Sequence, residues 1–206
     1  MAIARGLIMG GMACLLLGGC AQSVPDVPAG ARAQPPLHAP RAPWFAQGRL
    51  ELSYPGHFMS VTALVRHLAD GHVRLVLISD EGLELLDLTS GEKQEQVTMA
   101  LPELKRALTP LARLVHQAYG APVESAAQWE GGHLVISAGA ERRLYGGDPI
   151  LLRAVSGAGL DLTLSDYRLL GCELVPLVVT GDAPFITITL RLDAQHLRLT
   201  PALTSK

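Results

Sequence analysis

Apolar residues recur at every second position through most of this chain, and that period suits half-buried strands. In "GRLELSY", Leu50, Leu52 and Tyr54 share one face. In "MSVTALVRH", Met59, Val61, Ala63 and Val65 do the same. "GHVRLVLIS" is apolar on both faces near its end, as a strand covered on both sides should be. "GLELLDLT" follows the turn Ser79-Asp80-Glu81-Gly82. Further on come "GHLVISA", "ERRLYGG", "PILLRAV", "LDLTLSDY", "ELVPLVV", "FITITLRLD" and "QHLRLT". Asp70-Gly71, Glu130-Gly131-Gly132 and Gly181-Asp182 are turn signals between them. Successive strands with short turns predict an antiparallel meander.

The pattern breaks once, at residues 101–120, "LPELKRALTPLARLVHQAYG". Leu101, Leu104 and Leu108 make one helical stripe; Leu111, Leu114, Val115 and Ala118 make a second. A proline inside a helix loses a hydrogen bond and clashes, at about 3 kcal/mol. Pro110 therefore predicts two short helices, the first with Pro102 at its start, the second capped by Thr109. Gly120 and Pro122 end the pair.

The expected fold is α+β: a strongly curved antiparallel sheet, an incomplete β-barrel of about ten or more strands, enclosing a short helical pair as plug or lid. The helices must bury their stripes, and the concave face of the sheet is the place available. Leu104, Leu108, Leu111, Leu114 and Val115 on the helices, with Leu75, Leu77, Leu162 and Ile188 on strands, are the candidate lining of an apolar cavity. Such a lining suits an apolar ligand.

The amino terminus has the layout of a secretory signal. Arg5 is its only charge, Leu7 to Leu17 is apolar or small, and Gly18-Gly19 supplies a small-residue end. The run falls short of the about 20 apolar residues a membrane span needs. Leu17-Gly18-Gly19-Cys20 resembles the bacterial lipobox, in which the Cys thiol is diacylglycerated, the signal is cut before it and the new amino terminus is acylated. Residues 1–19 are then a lipoprotein signal peptide and Cys20 is the lipidated first residue. Two or more acyl chains anchor stably where one holds only marginally. Ala21, where Asp would favour inner-membrane retention, reads as an outer-membrane address facing the periplasm.

Cleavage removes Arg5 and takes the formal net charge from −2 to −3. That is no footprint for nucleic acid. With Cys14 removed and Cys20 acylated, Cys172 is the one free thiol of three cysteines, so no internal disulfide or multi-cysteine zinc site can form. Residues 20–43 are the anchor and a tether rich in Pro and Ala, which at the polyproline limit reaches roughly 70 Å. One domain is expected over 44–200, followed by a tail at 201–206.

At this point the chain resembles the outer-membrane lipoprotein receptor family of LolB, within the LolA–LolB superfamily. "RLVLISDEGLELLDLT" is similar to that family's strand, Gly-containing turn and strand. "PLARLVHQAYGAP" is similar to its helix, through Pro110, Leu111, Leu114, Gly120 and Pro122. "ITLRLDAQHLRL" resembles its final strands. The resemblance implies an incomplete barrel around lid helices and a cavity that takes acyl chains of a lipoprotein from a periplasmic carrier protein. It implies no enzyme, no catalytic residue and no cofactor. The chain departs from the family at two places. The turn at 79–82 is acidic, leaving Leu83 as the candidate membrane-facing residue, and Gln117 stands where an aromatic is expected.

Other motifs point to little chemistry. His57, His67 and His72 have no carboxylate at a convincing metal-ligand spacing, and they read as solvated or edge histidines. G-x-S-x-G is missing, "SGAG" at 156–159 and "GGDP" at 146–149 read as turns, and Cys172 reads as buried and inert. Arg66, Arg142 and Arg143 read as exposed strand arginines. The leading expectation is a lipoprotein that binds acyl chains for transfer or insertion. The alternative is a non-carrier structural or assembly lipoprotein of a cell-envelope complex.

Overall fold

The computed structural model describes residues 42–91, 95–120, 125, 127–147, 150–171 and 173–200. Cys20, the tether up to residue 41, Cys172 and the tail lie outside them.

Five strands open the domain: β1 (Trp44–Tyr54), β2 (His57–His67), β3 (Val73–Ile78), β4 (Glu84–Ser90) and β5 (Glu95–Ala100). A 3-10 helix (Pro102–Ala107) runs into α1 (Leu108–Tyr119). Then follow β6 (Ala127–Glu130), β7 (His133–Ala138), β8 (Glu141–Gly146), β9 (Leu151–Ser156), β10 (Asp161–Leu170), β11 (Glu173–Ala183), β12 (Ile186–Leu192) and β13 (Arg198–Leu199). They form one thirteen-stranded sheet in the order β5-β4-β3-β2-β1-β12-β11-β10-β9-β8-β7-β6, with β13 paired to β1. Neighbours run antiparallel, as short turns require. At Gly131-Gly132 both φ values are positive, +56° and +82°, which gives β6 and β7 the tight hairpin their twist favours.

The order places β5 and β6, consecutive in sequence, at the two outer edges. The helical segment is the connection between those edges. α1 packs on β3 and β4 on one side and on β10 and β11 on the other. A flat sheet could not touch it from both sides, so the sheet curls around it, an open barrel with the helix inside.

Two expectations are corrected here. The helical pair is a single α-helix preceded by a 3-10 turn, with Ala107 at the cap position and Thr109 already inside. Pro110 is tolerated because it is the third residue of α1, where the first four N–H groups have no intrahelical partner. The Gly181-Asp182 turn lies within β11, and the chain reverses instead between Ala183 and Ile186.

The core follows the alternation. Leu50, Leu52, Ala63, Leu75, Leu77, Leu86, Leu88, Val179 and Leu190 point inward and join the buried face of α1 in one cluster. A smaller cluster of Ala127, Leu134, Ile136 and Tyr145 sits under β6–β8.

Candidate functional site

The helix that fills the sheet is amphipathic. Leu111, Leu114 and Val115 of α1, with Leu104 of the 3-10 helix, expose no surface at all. Leu75 and Leu77 of β3 and Ile188 of β12 are equally covered, and Leu162 of β10 is 2 % exposed. Leu108 is half-buried and packs against the same cluster. The fold thus brings all nine candidate lining residues into one core. Eight of them border no void large enough to expose their surface to water, so the space beneath the helix is filled by the chain's own side chains.

Arg113, Tyr119 and Gln117 tie α1 to its seat through hydrogen bonds. Arg113 donates to the carbonyl of Ala158. The Tyr119 hydroxyl donates to the carbonyl of Pro176 at 3.1 Å. Burial pushes that phenol far above its ordinary value. Gln117 donates from Nε2 to Glu141 Oε2 at 3.0 Å. The Trp44 ring meets Tyr119 edge-on at 5.3 Å, and it stacks on His67 at 6.1 Å. The buried stripe of Leu111, Leu114 and Val115 adds apolar contact, and apolar burial is non-directional.

Sequence reasoning missed a polar cluster at the end of α1. Arg143 is not an exposed strand arginine: it is 4 % exposed, and its Nε donates to Glu141 Oε1 at 2.5 Å. Arg142, one residue earlier, does face outward and pairs with Glu130. The signal was available in the period of two, which puts Glu141, Arg143 and Tyr145 on one face of β8 and Arg142 on the other. Gln117 joins them from the helix. Beside them lies a cavity of about 50 Å³, lined also by Leu152, Tyr167, Leu174 and Pro176. At about 10–15 Å³ per water-sized sphere it holds a few waters. Pockets for drug-sized ligands are about 300–1,000 Å³.

The remaining candidates are dispersed. Leu83 is 66 % exposed and closes the β3–β4 turn, where its N–H is bonded by Ser79 Oγ. His57 stacks on Tyr54, His72 pairs with Asp70, and His67 is buried under Trp44 rather than solvated. Among the described residues no three His, Cys, Asp or Glu side chains gather at metal-binding distance.

A scan against protein-family models finds no match, and neither does a search of curated proteins. Solved structures do show likeness. A DUF1329 family protein from Desulfovibrio piger aligns over 80 % of this chain and 88 % of its own, at 8 % identity and a TM-score of 0.46. A LolA superfamily protein from Nitrosomonas europaea aligns over 80 % and 89 %, at 9 % identity and 0.42. A putative outer membrane lipoprotein-sorting protein domain from Vibrio parahaemolyticus aligns over 80 % and 88 %, at 10 % identity and 0.40.

Proposed function

We propose that this chain is a lipid-anchored protein of the bacterial cell envelope, held to the outer membrane through Cys20, whose domain takes an acyl chain into the seat of α1. The observation that carries this reading is the helix itself. It connects the two edges of an open sheet and fills the interior through an apolar stripe. A seat built from dispersion and burial accepts any apolar occupant of suitable section. Because the seat is filled, loading requires α1 to move outward as the ligand enters. The cargo in this reading is the acylated end of a lipoprotein, or another lipid, handed over by a periplasmic carrier.

The test uses residues 20–206, produced without residues 1–19 and carrying Cys20→Ser, so that no acyl anchor forms. On mixing with a triacylated lipopeptide, the two should co-elute at a fixed ratio. Amide exchange over 108–119 should rise while exchange in β1 and β12 stays low. Absence of both effects would sink acyl carriage.

The complete burial of the nearest lining residues favours a second reading, a structural lipoprotein whose interior is simply its core. Crosslinked membranes should then yield one stoichiometric protein partner, with no lipid bound.

A further inference from the structure

The polar cluster at the end of α1 is not needed to hold acyl chains, and its chemistry is incomplete within the fold. Glu141 is satisfied: Oε1 accepts from Arg143 Nε and Oε2 from Gln117 Nε2. Its two partners each keep one buried atom without a hydrogen bond, although the Arg143 guanidinium also lies beside the Tyr145 hydroxyl, which lines the same cavity. Arg143 Nη2 and Gln117 Oε1 are buried and make no hydrogen bond. Both residues are 4 % exposed and both line the 50 Å³ cavity. Buried groups of this kind are nearly always paired, by protein, water or ligand.

The identity of the two orphan atoms narrows what completes them. A carboxylate only accepts, so Glu141 fixes the Gln117 amide with its nitrogen toward the acid. The atom left unpaired is then the carbonyl oxygen, an acceptor. Arg143 contributes a donor, and Glu141 already balances its charge. The unmet pair is one donor and one acceptor with no net charge. A carboxylate or phosphate would meet the donor but face the lone pairs of Gln117 Oε1. A carboxamide meets both: its carbonyl accepts from Arg143 and its N–H donates to Gln117. The rest of the lining combines the apolar side chains of Leu152, Leu174 and Pro176 with the rings of Tyr145 and Tyr167, and the apolar part suits the carbon attached to such a group.

We propose that this cavity is a binding site for the carboxamide group of a small ligand, with Arg143 and Gln117 as its two recognition groups. The proposal stands apart from acyl carriage, since the cavity is distinct from the sealed seat of α1.

The test is a titration of the Cys20→Ser chain with propionamide, followed by NMR through the side-chain signals of Gln117 and Arg143. Saturable shifts at both are expected. Propionate, equal in size, should bind about tenfold more weakly, the effect of one mismatched buried hydrogen bond. Gln117→Met should abolish the propionamide shifts at Arg143. N-acetylalanine methylamide and octanamide separate a peptide source from a fatty amide: binding of either supports the site, and the tighter names the source. Absence of saturation, equal binding of propionate, or shifts confined to other residues overturns the proposal. The first two readouts need no variant, so misfolding of Gln117→Met would leave it testable.

Discussion

Single side chains in this fold carry consequences that can be measured one at a time. His67 is buried against Trp44, and burial pushes its imidazole below the ordinary 6.5, against opposing pulls from the Ala42 carbonyl and the charge of Asp70. The unfolded chain therefore takes up a proton near pH 6.5 that the folded chain refuses until lower pH. Stability from this group is full above about 6.5 and falls as pH drops below it, by at most about 1.4 kcal/mol per pH unit. Asp70 and Asp193, held below the ordinary carboxylate value by backbone hydrogen bonds, stabilise above that value and lose their contribution only at lower pH. The windows are separate. Urea midpoints at pH 8 and 5.5 should diverge in the wild type and converge in His67→Phe, which keeps a ring to stack; an equal drop in both would remove His67 as the cause. Phe185 offers a second measurement. It is 82 % exposed with φ at +70°, a backbone conformation that a bulky side chain rarely adopts. Phe185→Gly relieves about 1–2 kcal/mol of αL strain, offset by about 0.5–1 kcal/mol of added unfolded-state entropy, so it should raise stability by up to about 1 kcal/mol in urea unfolding.

At the scale of elements, α1 is where sequence and structure differ most instructively. Pro110 read as a break because a proline costs most in a helix interior, yet the 3-10 turn before α1 moves the α-helical start back and leaves Pro110 in the first turn. The two arrangements predict different results for Thr109→Ala. As a cap, Thr109 would lose about 1 kcal/mol; as an exposed second residue of α1, the change should stay within about 0.5 kcal/mol in the same unfolding assay. Most strands were legible because their inner faces are apolar at every second residue, as in Leu50-Leu52 and Leu75-Leu77. β5 was not, since four of its six residues are exposed and no alternation survives. Gly181 misled for a different reason. A β-carbon there would lie 3.0–3.2 Å from Leu162, Leu114 and Leu160, so this glycine makes room for the helix instead of turning the chain. That the nine apolar candidates gather in one core was legible from period and hydropathy. The Arg143–Glu141 pair could be read from the period of two in β8, but Gln117's place beside it could not, because it depends on a helix and a strand meeting 24 residues apart in sequence.

The whole molecule has two ends with different surfaces. β1 begins at Trp44 and runs about 36 Å at 3.3 Å per residue. Its far end is flanked by exposed phenylalanines: Phe58 on β2, opposite Ser53, and Phe185 in the turn before Thr187, which also pairs with Ser53. Leu83 closes a turn directed the same way, although β3 stops opposite Thr62, short of the β1–β2 turn. In the proposed reading, with Cys20 acylated, residues 20–43 would span roughly 70 Å at the polyproline limit, more than the length of β1, so the far end would reach back to the bilayer. The proposed insertion step needs such an apolar surface at the membrane. The neighbouring charges decide which membrane. Asp80 pairs with Arg49, but Glu81 and Glu84 are exposed beside Leu83, and an anionic surface would repel them. The Cys20→Ser chain should therefore sediment with zwitterionic vesicles more readily than with anionic ones. Burying the two rings contributes about 1.5–3 kcal/mol each if they are fully covered, so Phe58→Ser with Phe185→Ser should weaken that binding at least about tenfold. Equal sedimentation of the double variant would assign the rim no part in membrane contact. A preference for anionic vesicles would mean that the basic residues of the tether, and not this end of the domain, meet the lipid.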